Sequence, residues 1–253
     1  MTTVTAFGNQ KGGPGKTTTT LGLAAELAHR GRKVLVIDMD QQMSASGTLD
    51  AAGEHTISDV LVGRSVPLAE AVVGTAWQGV DAVPGSGDLQ SFEKEGANAI
   101  YRLRKGLRED AFAVYDDVLI DLPPAVGNSA VAGMLAADRV IAVTAPEPWS
   151  IFGLGNFLGV IDELREDLAP DLQVGGVIVN QYRKSLTEHE YRINELREAV
   201  GDLLLEPFVP NLAGALTIGS AGIPPRQSTT ESARRLVTVY EMLAGALIER
   251  SQP

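Results

Sequence analysis

Apolar residues in this chain fall into two kinds of run. Short unbroken runs such as Val4-Thr5-Ala6-Phe7, Val34-Leu35-Val36-Ile37, Val118-Leu119-Ile120, Val140-Ile141-Ala142-Val143 and Val177-Ile178-Val179 have the length and β-branched content of strands. They show little polar alternation, the pattern of strands buried on both faces of a parallel sheet. Elsewhere apolar residues recur every three or four positions. Leu21, Leu23, Ala24, Ala25, Leu27 and Ala28 predict a helix over roughly Lys16 to His29, ended by Arg30-Gly31-Arg32. Ser129 to Ala136 reads as a helix of small residues. Leu154, Phe157, Leu158, Ile161 and Leu164 predict a helix over Ile151 to Leu168. Leu236, Val239, Tyr240, Leu243 and Leu247 predict a last one, with Thr229 as its cap. Strands alternating with helices of this length predict an α/β fold, a predominantly parallel twisted sheet with helices on both faces.

Residues 43 to 110 carry a weaker pattern. Thr56 to Leu61 reads as a capped helical turn and Val66 to Val73 as a second short one. Val80 to Val83 reads as a strand stopped by Pro84-Gly85. Leu89 to Leu107 reads as a helix interrupted near Gly96, and Phe208-Val209-Pro210 as a last short strand. No internal repeat or low-complexity linker divides the chain, so a single domain over residues 1–253 is expected.

Composition removes classes of function. Apolar residues make up 44% of the chain, enough for a core. No run reaches the roughly eighteen apolar residues that would span a bilayer. Met1-Thr2-Thr3 lacks a charged region followed by an apolar one, so no signal peptide, no membrane role and a cytoplasmic location are expected. The absence of cysteine excludes disulfides, thiolate metal sites and iron–sulfur ligation. The net charge of −11 does not suit a constitutive DNA binder, so nucleic-acid contact needs a local patch, such as one completed by dimerisation. Arg102, Arg104, Lys105 and Arg108 read as a solvated helix face. So do Arg183, Lys184, Arg192 and Arg197, interleaved with Glu188, Glu190, Glu195 and Glu198. Asp116 and Asp117 read as solvent-facing at a strand entrance.

The chemistry concentrates between the first strand and the first helix, in Gly8-Asn9-Gln10-Lys11-Gly12-Gly13-Pro14-Gly15-Lys16-Thr17-Thr18. Glycines let the backbone wrap an anion, successive N–H groups form a nest for it, and the helix N-terminus adds partial positive charge. The usual phosphate-loop pattern, G-x-x-x-x-G-K-S/T, fails at its first glycine, where this chain has Gln10. Two more acidic strand ends follow. Asp38-Met39-Asp40-Gln41-Gln42 sits at the end of the second strand, and an extended chain would turn both carboxylates to one side. Asp117-Val118-Leu119-Ile120-Asp121-Leu122-Pro123-Pro124 ends a later strand in an aspartate and a proline pair.

Lys11-Gly12-Gly13-Pro14-Gly15-Lys16-Thr17 resembles the deviant Walker A loop of the ParA/MinD-like ATPases. The segment at Asp38 is similar to that family's D-x-D-P-Q motif, with Gln41 in the place of proline, and the segment ending at Asp121 is similar to its Walker B strand. The resemblance runs over essentially the whole chain and implies a P-loop NTPase of the deviant Walker A type that uses ATP and Mg2+. It implies that Gly12, Gly13, Gly15, Lys16, Thr17 and Thr18 hold the phosphates, with Lys16 on the β- and γ-phosphates. Lys11 would cross to the nucleotide of a second copy, so that ATP joins a homodimer. Thr17, Asp38 and Asp121 would support magnesium, Asp40 would orient the attacking water, and Asn180 would read the adenine edge. The implied partners are a ParB-like centromere-binding protein that stimulates slow hydrolysis and, in the ATP state, non-specific DNA. The implied location is the nucleoid.

Two departures from the family matter. Chromosome-segregation members place arginines after the last short strand; here Pro210-Asn211-Leu212-Ala213-Gly214-Ala215 has none, leaving Arg226, Arg234 and Arg235 as nearby substitutes. Pro14 removes an N–H that would face a phosphate, at a cost of about 1.5–3 kcal/mol if nothing compensates, while its fixed φ preorganises the loop. A hydrolysis-impaired interaction protein of the same fold is therefore one alternative reading. A MinD-like positioning ATPase is another, but Ile248-Glu249-Arg250-Ser251-Gln252-Pro253 is short and polar for a membrane-binding helix.

Overall fold

The computed structural model describes residues 2–10, 12–63, 66–212, 218–219 and 221–250. Its strands are β1 Thr3–Gly8, β2 Val34–Asp38, β3 Val73–Gly74, β4 Val80–Val83, β5 Asp117–Asp121, β6 Arg139–Thr144, β7 Gln173–Val179 and β8 Leu204–Leu205. They form one sheet in the order β3-β4-β2-β5-β1-β6-β7-β8. Every pairing is parallel except that of β3 with β4. The expected α/β architecture is thus present, with an antiparallel ribbon added at one edge.

The unbroken apolar runs divide by alternation. Val4, Ala6, Leu35, Ile37, Val118 and Ile120 enter one buried cluster, while Phe7, Val34, Val36 and Leu119 enter the other. A strand that must satisfy two cores has no position to spare for polar residues. On the first face lie α3 Ile57–Leu61, α4 Leu89–Phe92, α5 Arg102–Leu107, α6 Asn128–Ala136, α7 Pro148–Asp167 and α8 Thr187–Val200. On the second lie α1 Lys16–His29, α2 Ser44–Thr48 and the last helix, α9 Glu231–Glu249. Helix α9 packs directly on α1, its Leu236, Tyr240, Leu243 and Leu247 all buried.

Several local expectations change. The stretch after Val66 is a 3-10 turn over Leu68–Ala71 leading into β3, because Val73 and Gly74 pair with the edge of β4. Leu89 to Leu107 breaks into α4, a 3-10 turn at Ala97–Tyr101 and α5, with Gly96 extended at φ −69° and ψ 162° between them. Phe208-Val209-Pro210 forms no regular strand: Val209 N donates to Val179 O of β7 at 2.8 Å and Pro210 bridges to Tyr182, while the paired strand is Leu204–Leu205. Pro207 and Pro210 lack the N–H groups a ladder there needs. The last helix is capped by Thr230, whose hydroxyl accepts from Ala233 N at 3.2 Å, not by Thr229.

Candidate functional site

Register builds the site. Phe7 of β1 pairs with Asp121 of β5, and Asp121 pairs with Asp38 of β2. The carboxyl ends of three neighbouring strands therefore finish level, and the glycine loop, Asp38 and Asp121 meet on one edge of the sheet. This edge, where connections leave β1 to either side, is where open α/β sheets hold ligands.

The loop is shaped by two glycines in the left-handed region, Gly13 at φ 87° and Gly15 at φ 85°. A Cβ at Gly12 or Gly13 would meet nothing within 4 Å, so this backbone lies open. Gly15 is the N-cap of α1, and no side chain caps that terminus. Its first N–H groups and their partial positive charge are thus offered to the cleft. Lys16 is buried at the first turn. Burial lowers its pKa, an effect that nearby Asp121 and Asp40 oppose.

Behind the loop the Thr17 hydroxyl donates to Asp121 Oδ2 at 2.6 Å. Asp121 is fully buried; desolvation first, and then the charge of Asp38, push its pKa up to about 7, against the opposing effects of Thr17 and Lys16. A hydroxyl and a carboxylate side by side beneath an anion cradle are the hard oxygen donors that Mg2+ takes alongside phosphate and water. Among the described residues no three His, Cys, Asp or Glu side chains form a metal cage, so a cation here would take most of its ligands from phosphate and water. The residues present fit the group on those terms.

Asp38 is tied into the loop that follows β2. Its Oδ1 accepts from Asp40 N at 3.1 Å, and its Oδ2 accepts from Ser46 N at 2.8 Å and the Ser46 hydroxyl at 2.7 Å. Ser46 Oγ in turn accepts from Gly85 N at 2.8 Å. Both carboxylate oxygens are committed to holding the β2 loop against α2 and the end of β4. Burial raises the Asp38 pKa and these hydrogen bonds oppose the rise. Asp40 Oδ1 accepts from Gln42 N at 2.9 Å, and Asp40 itself lines the cleft.

The cleft encloses about 690 Å³ between Gly12, Gly13, Thr18, Asp40, Asn180 and Leu212, among other residues. Asn180 closes its floor, but its amide is turned inward. Nδ2 donates to Gly15 O at 3.2 Å and Thr19 Oγ1 at 3.0 Å, and Oδ1 accepts from Gln181 N at 2.7 Å. An amide so engaged braces the loop with both of its N–H groups, while Oδ1 keeps a second lone pair. Gln181, at φ 59°, donates from Nε2 to Gly13 O at 2.6 Å. Gln181, Asn211 and Leu212 also line the cleft. Lys11 lies outside the described residues.

Sequence reasoning missed Ser46, Gln181 and Glu93. The Glu93 carboxylate accepts from Asn128 N at 2.6 Å, Ser129 N at 3.0 Å and the Ser129 hydroxyl at 2.6 Å. It caps α6, the helix that follows the Asp121 loop, from thirty-five residues away in sequence. No local motif announces a cap at that separation. Three charged residues are also more engaged than expected. Asp117 is buried and ion-paired to Arg32. Arg102 pairs with Glu95 at 2.9 Å and donates to the carbonyl of Leu61. Arg226 holds buried Glu26. The mixed face of α8 does form ion pairs, Arg192 with Glu188 and with Glu195, both at 2.7 Å.

Known proteins share this arrangement. A family model described as an AAA domain matches residues 2–174. The chromosome partitioning protein ParA of Caulobacter vibrioides is 35% identical over 228 residues, covering 87% of this chain and 85% of that one. The chromosome-partitioning ATPase Soj of Thermus thermophilus is 32% identical over 250 residues, covering 98% of this chain and 96% of that one. Among solved structures, cobyrinic acid a,c-diamide synthase of Mycobacterium smegmatis with bound ATP analog and magnesium superposes with a TM-score of 0.84 at 28% identity, covering 99% of this chain and 96% of that one. The septum site-determining protein MinD of Pyrococcus horikoshii, complexed with Mg-ADP, superposes with a TM-score of 0.74 at 29% identity, covering 96% and 95%. With two partitioning proteins matched along nearly their whole length, the chain belongs to the ParA/Soj-like P-loop ATPases of the deviant Walker A type.

Proposed function

We propose that this chain is an ATP-driven switch of the partitioning type: with ATP bound it pairs with a second copy and holds non-specific DNA, and hydrolysis, stimulated by a ParB-like partner, releases both. The observation that carries this reading is the 2.6 Å contact of Thr17 with Asp121 beneath an uncapped α1 N-terminus, a hydroxyl–carboxylate pair set under an anion cradle. Relatives solved with Mg-ADP and with an ATP analog and magnesium support the choice of ligand.

In this reading the N–H groups of Gly13, Gly15, Lys16, Thr17 and Thr18 bind the phosphates, and buried Lys16 supplies a point charge to them. Thr17 and Asp121 hold magnesium, which supplies charge compensation for the triphosphate. Asp40, fixed by Gln42 N, orients water for attack in line with the leaving group. Asp38 keeps that loop in shape through Ser46. Lys11 reaches the phosphates of the second copy. Arg234 and Arg235, both exposed on α9, are the residues assigned to DNA, because Arg226 is committed to Glu26.

The test is binding of random-sequence DNA by the purified chain with ATP, with ADP and without nucleotide, across a salt series. The expected result is binding with ATP alone that falls steeply with salt and weakens in Arg234→Ala with Arg235→Ala. An ATP-loaded dimer that ignores DNA at low salt overturns the DNA part of the reading. An ATP-loaded chain that stays monomeric overturns the switch itself.

A further inference from the structure

The end of β7 holds the glycine loop at two carbonyls, and the two holds are unequal. Gly15 O accepts from Thr19 N at 2.9 Å as well as from Asn180 Nδ2 at 3.2 Å. Gly13 O accepts from Gln181 Nε2 at 2.6 Å, and among the described residues no other group donates to it. The peptide between Gly13 and Pro14 therefore depends on one side chain.

The residue that carries it has an uncommon backbone. Gln181 sits at φ 59°, in the left-handed region that a residue with a Cβ seldom adopts. Its surroundings fix it there. Asn180 N donates to Thr144 O at 2.8 Å, Gln181 N to Asn180 Oδ1 at 2.7 Å and Tyr182 N to Val209 O at 3.0 Å. Strain of this kind persists where neighbours over-determine the backbone, and it gathers at ligand clamps. A glycine would make the same turn without strain but would bring no donor.

Pro14 gives that donor its importance. In a trans peptide the C=O and the following N–H point opposite ways. A phosphate that accepted from an N–H at residue 14 would thus keep the Gly13 oxygen turned from the anion. Proline has no N–H, so the anion has no such grip on this peptide. A Gly13 oxygen free to swing toward the phosphates would repel them. Gln181 holds the same peptide by its other end.

We propose that Gln181 is a positioning residue for the phosphate loop: by holding the Gly13 carbonyl it replaces the grip that Pro14 forfeits. This role rests on the reading of the loop as an ATP cradle.

The test compares wild type with Gln181→Met, Gln181→Gly, Pro14→Val and the double variant Pro14→Val with Gln181→Met. Each full chain is measured for Mg·ATP affinity by calorimetry and for its thermal midpoint without nucleotide. Gln181→Met keeps the length of the side chain and loses the donor, and its expected affinity is about three- to tenfold weaker than wild type. Gln181→Gly shows the same loss with an unchanged or higher midpoint, since glycine accepts φ 59° freely. In the Pro14→Val background Gln181→Met costs less than about twofold, because the restored N–H already holds the peptide. Wild-type affinity in Gln181→Met or Gln181→Gly overturns the proposal, and so does an equal loss in the two backgrounds. A Gln181→Gly midpoint that falls in step with affinity marks a structural role and overturns it as well. In each of these cases a wild-type chain that binds Mg·ATP leaves the cradle reading standing. A wild-type chain that fails to bind it overturns both.

Discussion

The amide of Asn180 occupies the space a side chain at Gly15 would need: a Cβ built there lies 2.2 Å from Asn180 Nδ2. Gly15 also sits at φ 85°, which costs a residue with a Cβ roughly 1–2 kcal/mol. Gly15→Ala therefore meets strain and collision together, and relief of the collision displaces the amide that holds the loop. The expected outcome is ATP binding weakened by at least about tenfold, since each ~1.4 kcal/mol is a factor of ten. Gly12→Ala, where a Cβ meets nothing within 4 Å, is the internal comparison and should bind far more nearly like wild type. Calorimetric titration with Mg·ATP checks both, and equal losses in the two variants would refute the steric account.

Pro14 lies buried between the two left-handed glycines, and its neighbours' carbonyls are held by Gln181 and Asn180. The loop is thus braced from β7 whether or not residue 14 is proline. Pro14→Val restores an N–H toward the phosphates while keeping a buried apolar side chain of similar size. We expect its ATP affinity to equal or exceed that of wild type. A clear loss, measured by the same titration, would show that the fixed φ of proline outweighs the missing donor.

The legible parts of this protein were those in which neighbours in sequence are neighbours in space. The glycine loop, the strand ends at Asp38 and Asp121 and the long amphipathic helices all belong to that class. What escaped depends on distant partners. That Asn180 also braces the loop was not legible, because only the folded chain brings Gly15 and Thr19 to Nδ2. The hold of Ser46 on Asp38 escaped because α2, which delivers it, is too short and polar to register as a helix. Asp117 looked like a solvent-facing carboxylate, yet Arg32 from the next-door strand connection covers it. The edge ribbon was missed for the same reason: Val73 and Gly74 are strand only because β4 is there to pair with.

Arg226 was a candidate for DNA contact, and its geometry assigns it to stability instead. Its Nε and Nη2 reach the fully buried Glu26 Oε2 at 3.0 and 2.7 Å, with Glu241 at 3.5 Å from the same guanidinium. Arg226→Ala leaves a buried carboxylate without its cation. The expected cost is about 2–4 kcal/mol, the lower end reflecting the partly exposed arginine. Adding Glu26→Leu to that variant should recover most of the loss, because the uncompensated charge is what destabilises. Urea unfolding measures both steps. Undiminished stability in Arg226→Ala, joined to lost DNA binding, would return this arginine to the nucleic-acid interface.

The start of α3 gives a prediction in pH. Asp59 Oδ2 accepts from Thr56 N at 2.7 Å and from the Thr56 hydroxyl at 3.0 Å, a reciprocal cap at the helix N-terminus. The Thr56 backbone bond is the main cause of a lowered Asp59 pKa, with the Thr56 hydroxyl and His55 acting in the same direction and partial desolvation against it. A folded-state pKa below the unfolded value means that the ionised form favours folding. The contribution is complete above the unfolded pKa of roughly 4 and is lost as pH falls through the lower folded value. Asp59→Asn, which keeps an acceptor but not the charge, should be less stable than wild type at pH 6, and the gap should narrow as pH drops below about 4. A carboxyl NMR titration supplies the second reading: the Asp59 midpoint should lie below that of an ordinary aspartate. A gap that widens on acidification, or a midpoint above the ordinary value, would mean that desolvation rather than the cap governs this carboxylate.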